Sequence, residues 1–559
     1  MATGGERRAG GGGGILSPLR LPLFRAIWLA NLVGSVGWLV QGVGAAWLMT
    51  TLAGTPDMVA LVQSAILAPI LLFALFAGVM ADLWDRRWVL LVAQLWVAAA
   101  SFGLAAVGAA GLLTPASLLL FTFLVGTGAA LNGPAWQSVV REIVPGGELA
   151  AAVTLNAIGF NLARAFGPAV GGAVVAAYGT QAAFLLNGFA ALALVAVLLF
   201  WRRELPKDEL PRERLGSALV TGLRYVGETP AIRAILVRAA VFGIAASAAL
   251  ALLPLVARDR LGGGPVTYGL LLGAFGIGAL LGAFLIHSLR QHRGAEFVVT
   301  TLSVAGGAAF VLIGLVPGWF APVVLALAVA GTAWLGAFST FNITLQLRTA
   351  YWVQARVLAL YQTVVFGGMA VGAWAWGEIA HLTSLEAGYL LAGGMLLASV
   401  ALHWWQPLHA GALPNLQPAQ RQEPLPAVQA PVEEGPVLVQ IEFEIGPADA
   451  PAFVAAMDEV GNLRRRNGAL RWRLFQDVAE PTHWSETFVL GDWIEHQRLR
   501  ARMTVADAAV EARAVAYHRG RIAPVRRYMV ARRHDSRFLL NEAEEAEVAS
   551  IRETGERAT

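Results

Sequence analysis

The 559-residue chain contains no cysteine and few charged residues. Without cysteine, disulfides, thiolate metal sites and cysteine nucleophiles are excluded. Charged residues make up 14% of the chain, whereas soluble domains usually carry about 25%. So few charges cannot cover the surface of a water-soluble protein of this length, and the hydrophobic residues, 57% of the total, are concentrated in long runs. We therefore expect lipid to surround most of the chain.

The sequence also lacks the signatures of several other functions. It contains no Gly-Lys-Ser/Thr loop of the Walker type, which argues against built-in ATP hydrolysis. A net charge of +4 is compatible with nucleic-acid binding, but most arginines lie in short loops beside apolar runs, where they indicate the orientation of the chain in the membrane. We expect no cofactor, no metal and no nucleic-acid partner.

Long apolar runs dominate the chain as far as residue 405. A helix needs roughly 20 apolar residues to cross about 30 Å of hydrocarbon. Six runs, a charged segment and six more runs predict an all-α membrane protein of twelve transmembrane helices, in two six-helix halves at 24–201 and 234–405 joined by a cytoplasmic linker at 202–233. The runs lie at about 25–50, 58–81, 88–110, 116–139, 150–177, 181–201, 235–256, 266–289, 296–316, 320–345, 356–381 and 386–405.

Arginines are unevenly distributed between the loops. Loops after even-numbered runs carry them, whereas loops after odd-numbered runs hold almost none apart from Arg258 and Arg260. Positive residues favour the cytoplasmic side of a membrane, so we expect both termini and the linker in the cytoplasm, with 1–23 as a disordered lead.

The composition changes after Trp405. Residues 406–436 are rich in Pro, Gln and Glu without apolar periodicity, which predicts an extended linker. Residues 437–535 show a βαββαβ order, with the second helix over Asp492–Tyr517, and so predict a small α+β ferredoxin-like domain. The remainder, 536–559, is predicted to be a charged, solvated tail.

The loop after the second run places an acid beside two cations. It resembles the loop signature of the major facilitator superfamily, in which the acid pairs across the interface of the two halves and helps to lock one conformation. Leu83 and Asp85 depart from the signature, which usually has Arg and Gly there. The alternative is a plain positive cytoplasmic loop. The candidate gating residues in it are Gly78, Asp82, Arg86 and Arg87.

A Gly-Pro motif lies in the fifth run. Small residues at this spacing let helices approach closely, and proline removes one helical hydrogen bond. The motif resembles the antiporter signature of the same superfamily, which implies an exporter; general glycine-mediated packing is the alternative. Its candidate gating residues are Gly167, Pro168, Gly171 and Gly172.

Arg164 lies one turn before this motif, well inside the apolar run. A guanidinium at the membrane centre costs at least about 2.5–3.5 kcal/mol, so it should face a polar cavity or a partner. Other polar and aromatic residues in the runs suggest a central cavity for a large ligand of mixed polarity. For each residue singly, an interhelical hydrogen bond is the alternative. The predicted substrate-binding residues are Asn31, Trp38, Gln41, Asn132, Gln137, Asn161, Arg164, Asn342, Gln346 and Gln362.

Two acids and two aromatic pairs complete the candidates. Asp57 and Glu378 lie near the predicted outer ends of helices, where they could exchange protons or serve as ordinary interface residues. In the C-terminal domain, paired Trp and His residues resemble those of antibiotic-biosynthesis monooxygenases, and a packing or docking role is the alternative. These are His483, Trp484, Trp493 and His496.

The motifs together resemble one branch of the major facilitator superfamily, the enterobactin-exporter-like transporters or transmembrane secretion effectors. The resemblance covers roughly 20–535 and includes the segments Phe24–Asn31 and Asn161–Pro168. It implies a secondary active transporter that exports a small hydrophobic, siderophore-like or drug-like molecule across the cell inner membrane by alternating access, with proton antiport.

The partners expected from this resemblance are a small-molecule substrate, protons and the lipid bilayer, and the oligomeric state is left open. Two other classes remain: a membrane-tethered, cofactor-independent monooxygenase and a membrane receptor that binds a ligand without moving it. Twelve helices with polar interiors are more than an anchor requires, which weighs against the enzyme.

Overall fold

The computed structural model describes residues 16–531, apart from 84, 146–147, 202–214, 317, 409–413 and 420–435. The chain divides into two compact units. The first, here called the membrane unit, takes in Met1–Pro206, Leu236–Asn342 and Ala359–Ala410. The second, the polar unit, takes in Lys207–Ile235, Ile343–Leu358 and Gly411–Thr559.

Twelve helices of the described chain are long and apolar enough to cross a membrane, which confirms the predicted all-α membrane fold. Six of them form the first half. They are α1 (Pro22–Leu52), α2 (Pro56–Leu83), α3 (Arg86–Ala109), α4 (Pro115–Ile143), α5 (Leu149–Tyr178) and α6 (Thr180–Phe200).

A shorter helix, α7 (Leu215–Gly227), lies between the halves in the sequence, in the segment predicted as a linker. The six spans of the second half follow. They are α8 (Pro230–Arg260), α9 (Pro265–Gly282), α10 (His292–Leu315), α11 (Phe320–Leu347), α12 (Gln354–Leu382) and α13 (Leu385–Trp405).

Proline and glycine mark the ends of these helices. Proline occupies the first turn of α1, α4 and α9, where the backbone N–H has no helical partner in any case. Gly179, at φ 80°, joins α5 to α6 without a longer loop. Gly294, at φ 78°, kinks the helical run Pro265–Leu315 that contains α9 and α10, near the start of α10. Positive φ strains any residue with a Cβ, so glycine is needed at both turns.

Because the spans alternate in direction, the connections lie at two ends of the bundle. We call the end with the connections after α1, α3, α5, α8, α10 and α12 the odd-loop end, and the other the even-loop end. At the odd-loop end α8 finishes in a π-helical turn, Val256–Arg260. Arg260 of this turn pairs with Glu386 and donates to the carbonyls of Gly314 (3.1 Å) and Val316 (3.0 Å), which ties three helices of the second half together.

The polar unit contains a small α+β domain of seven elements. These are β1 (Val437–Glu444), α14 (Ala450–Arg466), β2 (Arg471–Gln476), β3 (His483–Leu490), α15 (Trp493–Arg502), α16 (Val505–Val515) and β4 (Val525–Val530). The sheet has the order β2-β3-β1-β4 and all pairs are antiparallel. This is the ferredoxin-like order expected from βαββαβ. Strand β1 alternates buried and part-exposed residues, so one face packs against the helices.

The prediction of one helix over Asp492–Tyr517 is wrong. The segment forms α15 and α16 with a break at Met503, whose backbone is extended. Thr504 then caps α16: its side chain accepts from the N–H of Asp507 (3.2 Å), and the Asp507 carboxylate accepts from the N–H of Thr504 (3.0 Å). This reciprocal capping box satisfies two N–H groups that a new helix would leave unpaired, and so favours a fresh start at this point.

Candidate functional site

The membrane unit encloses a cavity of about 160 Å³ between its two halves. Helices α1, α2, α4 and α5 of the first half and α8, α9, α11 and α12 of the second half line it. Most of the lining is aliphatic or aromatic, with a few polar groups among it. The polar and aromatic lining residues are Trp38, Gln41, Gln63, Thr122, Arg164, Tyr268, Phe275, Trp334 and Phe366.

Arg164 supplies a cation to this cavity from the middle of α5. Its guanidinium carbon lies 4.8 Å from the ring centre of Phe160 and 4.6 Å from that of Trp334. Phe160 is on α5, but Trp334 is on α11, so the guanidinium is held between aromatic faces from both halves. Among the described residues, no carboxylate lies within ion-pair distance of Arg164. Cation–π contacts of this kind strengthen when the cation is shielded from water.

Two of the predicted binding amides also take part in hydrogen bonds between helices. Gln41 Oε1 accepts from Ser101 Oγ (2.8 Å) and from Asn187 Nδ2 (2.6 Å), which joins α1, α3 and α6. Asn132 Oδ1 accepts from Gln94 Nε2 (3.0 Å), which joins α4 to α3. Gln41 lines the cavity, whereas Asn132 lies outside the lining. For Asn132, the interhelical bond is the role that its described contact supports.

The remaining predicted binding residues are distributed differently. Trp38 lines the cavity beside Gln41 and Arg164. Asn161 is half-buried and donates to the carbonyl of Ala157 (2.9 Å), one turn back on α5. Gln137 is in α4, but its side chain lies outside the described residues. The half-buried residues Asn31, Asn342, Gln346 and Gln362 lie outside the cavity lining.

The loop motif between α2 and α3 makes its described contacts within the first half. Arg86 pairs with Glu142 of α4. Arg87 donates to the carbonyls of Leu198 (2.8 Å) and Leu199 (2.9 Å) at the end of α6. Asp85, the departure from the usual glycine, accepts from the N–H of Arg87 (2.9 Å) and so caps α3. Gly78 and Asp82 are in the last turns of α2, and their surroundings lie outside the described residues.

The Gly-Pro motif of α5 packs on two different helices. A Cβ at Gly167 would lie 3.1 Å from the Leu39 side chain, and one at Gly171 would lie 3.1 Å from the Val40 backbone, so both face α1. A Cβ at Gly172 would lie 2.6 Å from the Pro265 carbonyl oxygen, so Gly172 faces α9 in the other half. The motif therefore serves packing within the first half and contact between the halves.

Pro168 itself explains a second close approach of α5 and α9. Proline has no N–H, so the carbonyl of Arg164, four residues earlier, loses its helical partner. A Cβ at Gly276 would lie 2.6 Å from that carbonyl oxygen, and one at Gly269 would lie 2.7 Å from the Pro168 oxygen. Glycine on α9 thus brings its Cα against carbonyls of α5, one of them freed by the proline, a contact that side chains would prevent.

Polar contacts also join the halves towards the odd-loop end. Arg258 of α8 donates to the carbonyls of Thr50 and Gly54 at the end of α1. The hydroxyl of Ser64 in α2 donates to the carbonyl of Ala370 in α12 (2.7 Å).

Asp57 forms another contact towards the odd-loop end of the bundle. Its carboxylate lies 3.6 Å from Nδ1 of His381, which is on α12 in the other half. Glu378, one turn before His381, is half-buried. The two candidates for proton exchange therefore differ: Asp57 is placed at a contact between the halves, and for Glu378 no specific contact is described.

Sequence reasoning missed Trp334, Tyr268, His381 and the role of Arg258. A lone tryptophan or tyrosine in an apolar run carries no signal of which face it occupies, whereas Trp38 was found because Gln41 lies one turn away. Arg258 did carry a signal, because it is one of two arginines in loops that are otherwise nearly free of them. An arginine against the charge trend should have bonding partners, and in the structure these are Asp259 and the end of α1.

Two six-helix halves that together line a central cavity are the architecture of many secondary transporters. The same fold is found in a POT family transporter in complex with 5-aminolevulinic acid, which superposes with a TM-score of 0.58 at 14% identity, over 71% of this chain and 98% of that chain. A bacterial homologue of the human lysosomal transporter Spinster, in an inward-facing and occupied conformation, gives a TM-score of 0.53 at 16% identity, covering 70% and 96%.

Sequence comparison identifies the family to which the chain belongs. The family model described as transmembrane secretion effector matches residues 13–535. The multidrug efflux pump Tap of Mycobacterium tuberculosis is 27% identical over 65% of this chain and 88% of its own, and the enterobactin exporter EntS of Shigella flexneri is 27% identical over 68% and 91%. The chain belongs to the transmembrane secretion effector family of major facilitator transporters. It is a multi-pass membrane protein and a transporter rather than an enzyme, as the sequence motifs predicted.

Proposed function

We propose that this transporter exports a small amphipathic molecule, of the siderophore-like or drug-like kind, by alternating access. The observation that carries the proposal is the guanidinium of Arg164, held between Phe160 and Trp334 in a cavity that both halves line. Export is supported by the names of two relatives, one a multidrug efflux pump and the other an enterobactin exporter.

The lining indicates the chemistry of the substrate. Aromatic and aliphatic walls suit an apolar body, while Arg164 and Gln63 suit acceptor oxygens or a negative charge. The aromatic faces hold the cation without neutralising it, because no described carboxylate pairs with it. An oxygen-rich or anionic group of the substrate would supply the charge-assisted hydrogen bonds that the site itself does not.

The conformational cycle must break the contacts between the halves. Those formed by Arg258, Ser64 and Asp57 lie towards the odd-loop end, and the close approach of α5 and α9 extends to the level of Arg164. We assign this arrangement to a state closed at the odd-loop end. The cavity of about 160 Å³ is smaller than the roughly 300–1,000 Å³ of ligand pockets, so a drug-sized substrate requires the halves to move apart.

Proton antiport is the proposed source of energy. The Asp57 carboxylate and the His381 ring, 3.6 Å apart, form a contact between the halves, so proton binding at this pair would change the strength of a contact that opening must break. A transported proton would in this way be linked to the change of conformation. Glu378, one turn from His381, is the second candidate for this role.

We place the chain in the cell inner membrane with both termini in the cytoplasm. The support for this orientation is the excess of arginine in the loops at the even-loop end. The odd-loop end, where the contacts of Arg258 and Asp57 lie, would then face the outside.

The test is transport by the purified chain in proteoliposomes with an imposed proton gradient. Enterobactin and a panel of antibacterial drugs serve as probes. Arg164→Gln should reduce transport of acceptor-rich probes at least about tenfold, because a charge-assisted hydrogen bond contributes roughly 1.5–3 kcal/mol. Arg164→Lys, which keeps the charge, should retain part of it, and Arg233→Gln, an exposed arginine outside the cavity, should retain all of it.

Two results would separate the parts of the proposal. Transport that continues unchanged when the proton gradient is collapsed rules out antiport but leaves export standing. Binding of the probes without any movement across the membrane identifies a receptor and refutes transport.

A further inference from the structure

The C-terminal α+β domain contains a cavity of its own, of about 360 Å³, between its sheet and α15. This volume falls within the range of roughly 300–1,000 Å³ typical of ligand pockets. The floor is apolar and built from β1, β3 and α15. The apolar lining residues are Val439, Ile441, Phe488, Leu499 and Met503, and the polar ones are Arg464, His496, Gln497, Arg500, Arg526 and Tyr528.

Positive charge predominates in this lining. Three arginines contribute to it, and no Asp or Glu is among the residues described as lining it. Arg464, at the back, is fully buried and pairs with Glu486 and Glu511. Burial lowers the pKa of Arg464, but the two carboxylates outweigh burial and raise it above its usual value, so the guanidinium stays charged.

Flat aromatic groups form one wall of the cavity. His496 is buried, and its ring centre lies 4.8 Å from that of Trp493 and 4.9 Å from that of Tyr528. The ring planes are inclined to each other by 34° and 59°, and of the three rings those of His496 and Tyr528 line the cavity. In contrast, the other aromatic pair noted in the sequence does not line the cavity: His483 is exposed beside Glu480 (2.5 Å), and Trp484 packs on Phe453 at 5.7 Å.

We propose that this cavity is a second small-molecule site, separate from the transport cavity, for an anion with a flat apolar body such as an aromatic carboxylate. The apolar floor and the ring of His496 accommodate the body. Arg500 and Arg526 bind the carboxylate, since the planar guanidinium matches carboxylate geometry.

The same helices also connect this domain to segments that lead into the transport helices. In α14, Arg465 pairs with Glu228 (3.7 Å), and the guanidinium of Arg466 lies 5.6 Å from the ring centre of Tyr225 in α7. In the polar unit α7 immediately precedes α8 in the sequence, so this contact lies on the segment that leads into the second half.

A second contact involves the connection between α11 and α12. Arg502, two residues after the cavity residue Arg500, lies with its guanidinium 4.7 Å from the ring centre of Trp352. Tyr225 and Trp352 in turn meet edge to face at 5.6 Å. Occupancy of the cavity can therefore act on two segments adjoining transport helices, which makes it a regulatory site if the proposed transport function holds.

The experiment uses the full chain in lipid nanodiscs and 2-naphthoate as the probe, with binding measured by calorimetry. Arg164→Ala is included as background so that the transport cavity does not contribute. We expect one saturable site. Arg500→Gln should weaken binding at least about tenfold, because it removes a charged hydrogen-bond donor. Arg498→Gln, the same change on the same helix but outside the lining, should leave binding unchanged.

A second variant guards against loss of folding. Ala501 is exposed at the rim, so Ala501→Trp should block the cavity without disturbing the core, and should abolish binding at unchanged melting temperature. The proposal is overturned if 2-naphthoate shows no saturable binding, or if Arg498→Gln weakens it as much as Arg500→Gln.

Regulation has its own readout. In the otherwise unmodified chain, 2-naphthoate should change the transport rate, and Trp352→Ala, which removes the surface under Arg502, should abolish that change while binding persists. Because binding is measured without transport, a chain that transports nothing would refute the proposed function and leave this site intact. A transport rate that does not change when 2-naphthoate binds would refute the proposed regulation of transport by this site.

Discussion

The contact of α5 with α9 can be tested with a single methyl group. A Cβ at Gly276 would lie 2.6 Å from the carbonyl oxygen of Arg164 and 2.9 Å from the Cα of Ala165. Both are backbone atoms, so neither can rotate away, and Gly276→Ala must push the helices apart. Gly273, one turn earlier on α9, is the matched control. A Cβ there would lie 3.7 Å from the nearest atom, the carbonyl oxygen of Ala165, which is ordinary contact.

The size of the effect follows from the cost of overpacking. An extra methyl group in a packed interior costs typically about 1–3 kcal/mol, and each 1.4 kcal/mol changes an equilibrium about tenfold. If α5 and α9 separate near Gly276 when the transporter changes state, the added methyl group destabilises the closed state alone. Gly276→Ala should then shift the population away from that state by roughly 5-fold to 150-fold.

The absence of cysteine makes the assay simple. Ser64, which is buried and donates to Ala370 across the halves, is replaced by cysteine as the reporter and labelled with a membrane-impermeant maleimide from the odd-loop side. Gly276→Ala should accelerate labelling by about the same factor, and Gly273→Ala should not.

Equal labelling rates for the two variants would refute the reasoning, provided that both melt within a few degrees of the parent. So would faster labelling in Gly273→Ala alone. A lower melting temperature of Gly276→Ala at unchanged labelling would mean that the contact persists in every state, and α5 and α9 would then move as one body.

Three further predictions concern polar groups. Arg464→Met leaves two buried carboxylates without their cation and should destabilise the C-terminal domain by about 3–5 kcal/mol, seen as faster proteolysis of that domain at unchanged transport-cavity binding. Gln41→Leu removes the acceptor of Asn187 and should cost about 1–3 kcal/mol, measured as a lower melting temperature of the membrane unit. His381→Gln removes the ring that faces the Asp57 carboxylate across the halves and should speed labelling from the odd-loop side.

The span count and the ferredoxin-like order could be predicted because each depends on a property of a local segment. Apolar runs of sufficient length must become helices in lipid, since every backbone N–H and C=O needs an internal partner there. Alternating strand patterns and amphipathic helices defined the C-terminal domain in the same way. The one structural error, a single helix over Asp492–Tyr517, arose at Thr504, where a capping box ends one helix and begins another without proline or glycine to mark the break.

The sequence by itself determined that Arg164 needs a shielded environment, because a guanidinium in an apolar run is costly wherever it lies. Only the tertiary structure decided that the shield is Trp334, 170 residues away, together with Phe160. Likewise, the sequence determined that Pro168 frees a carbonyl, and the fold decided that Gly276 covers it. The free-energy cost of a buried charge or an unpaired carbonyl depends on the residue and its neighbours in the chain. The groups that offset this cost depend on which distant helix faces meet, and the packing of all twelve helices decides which faces those are.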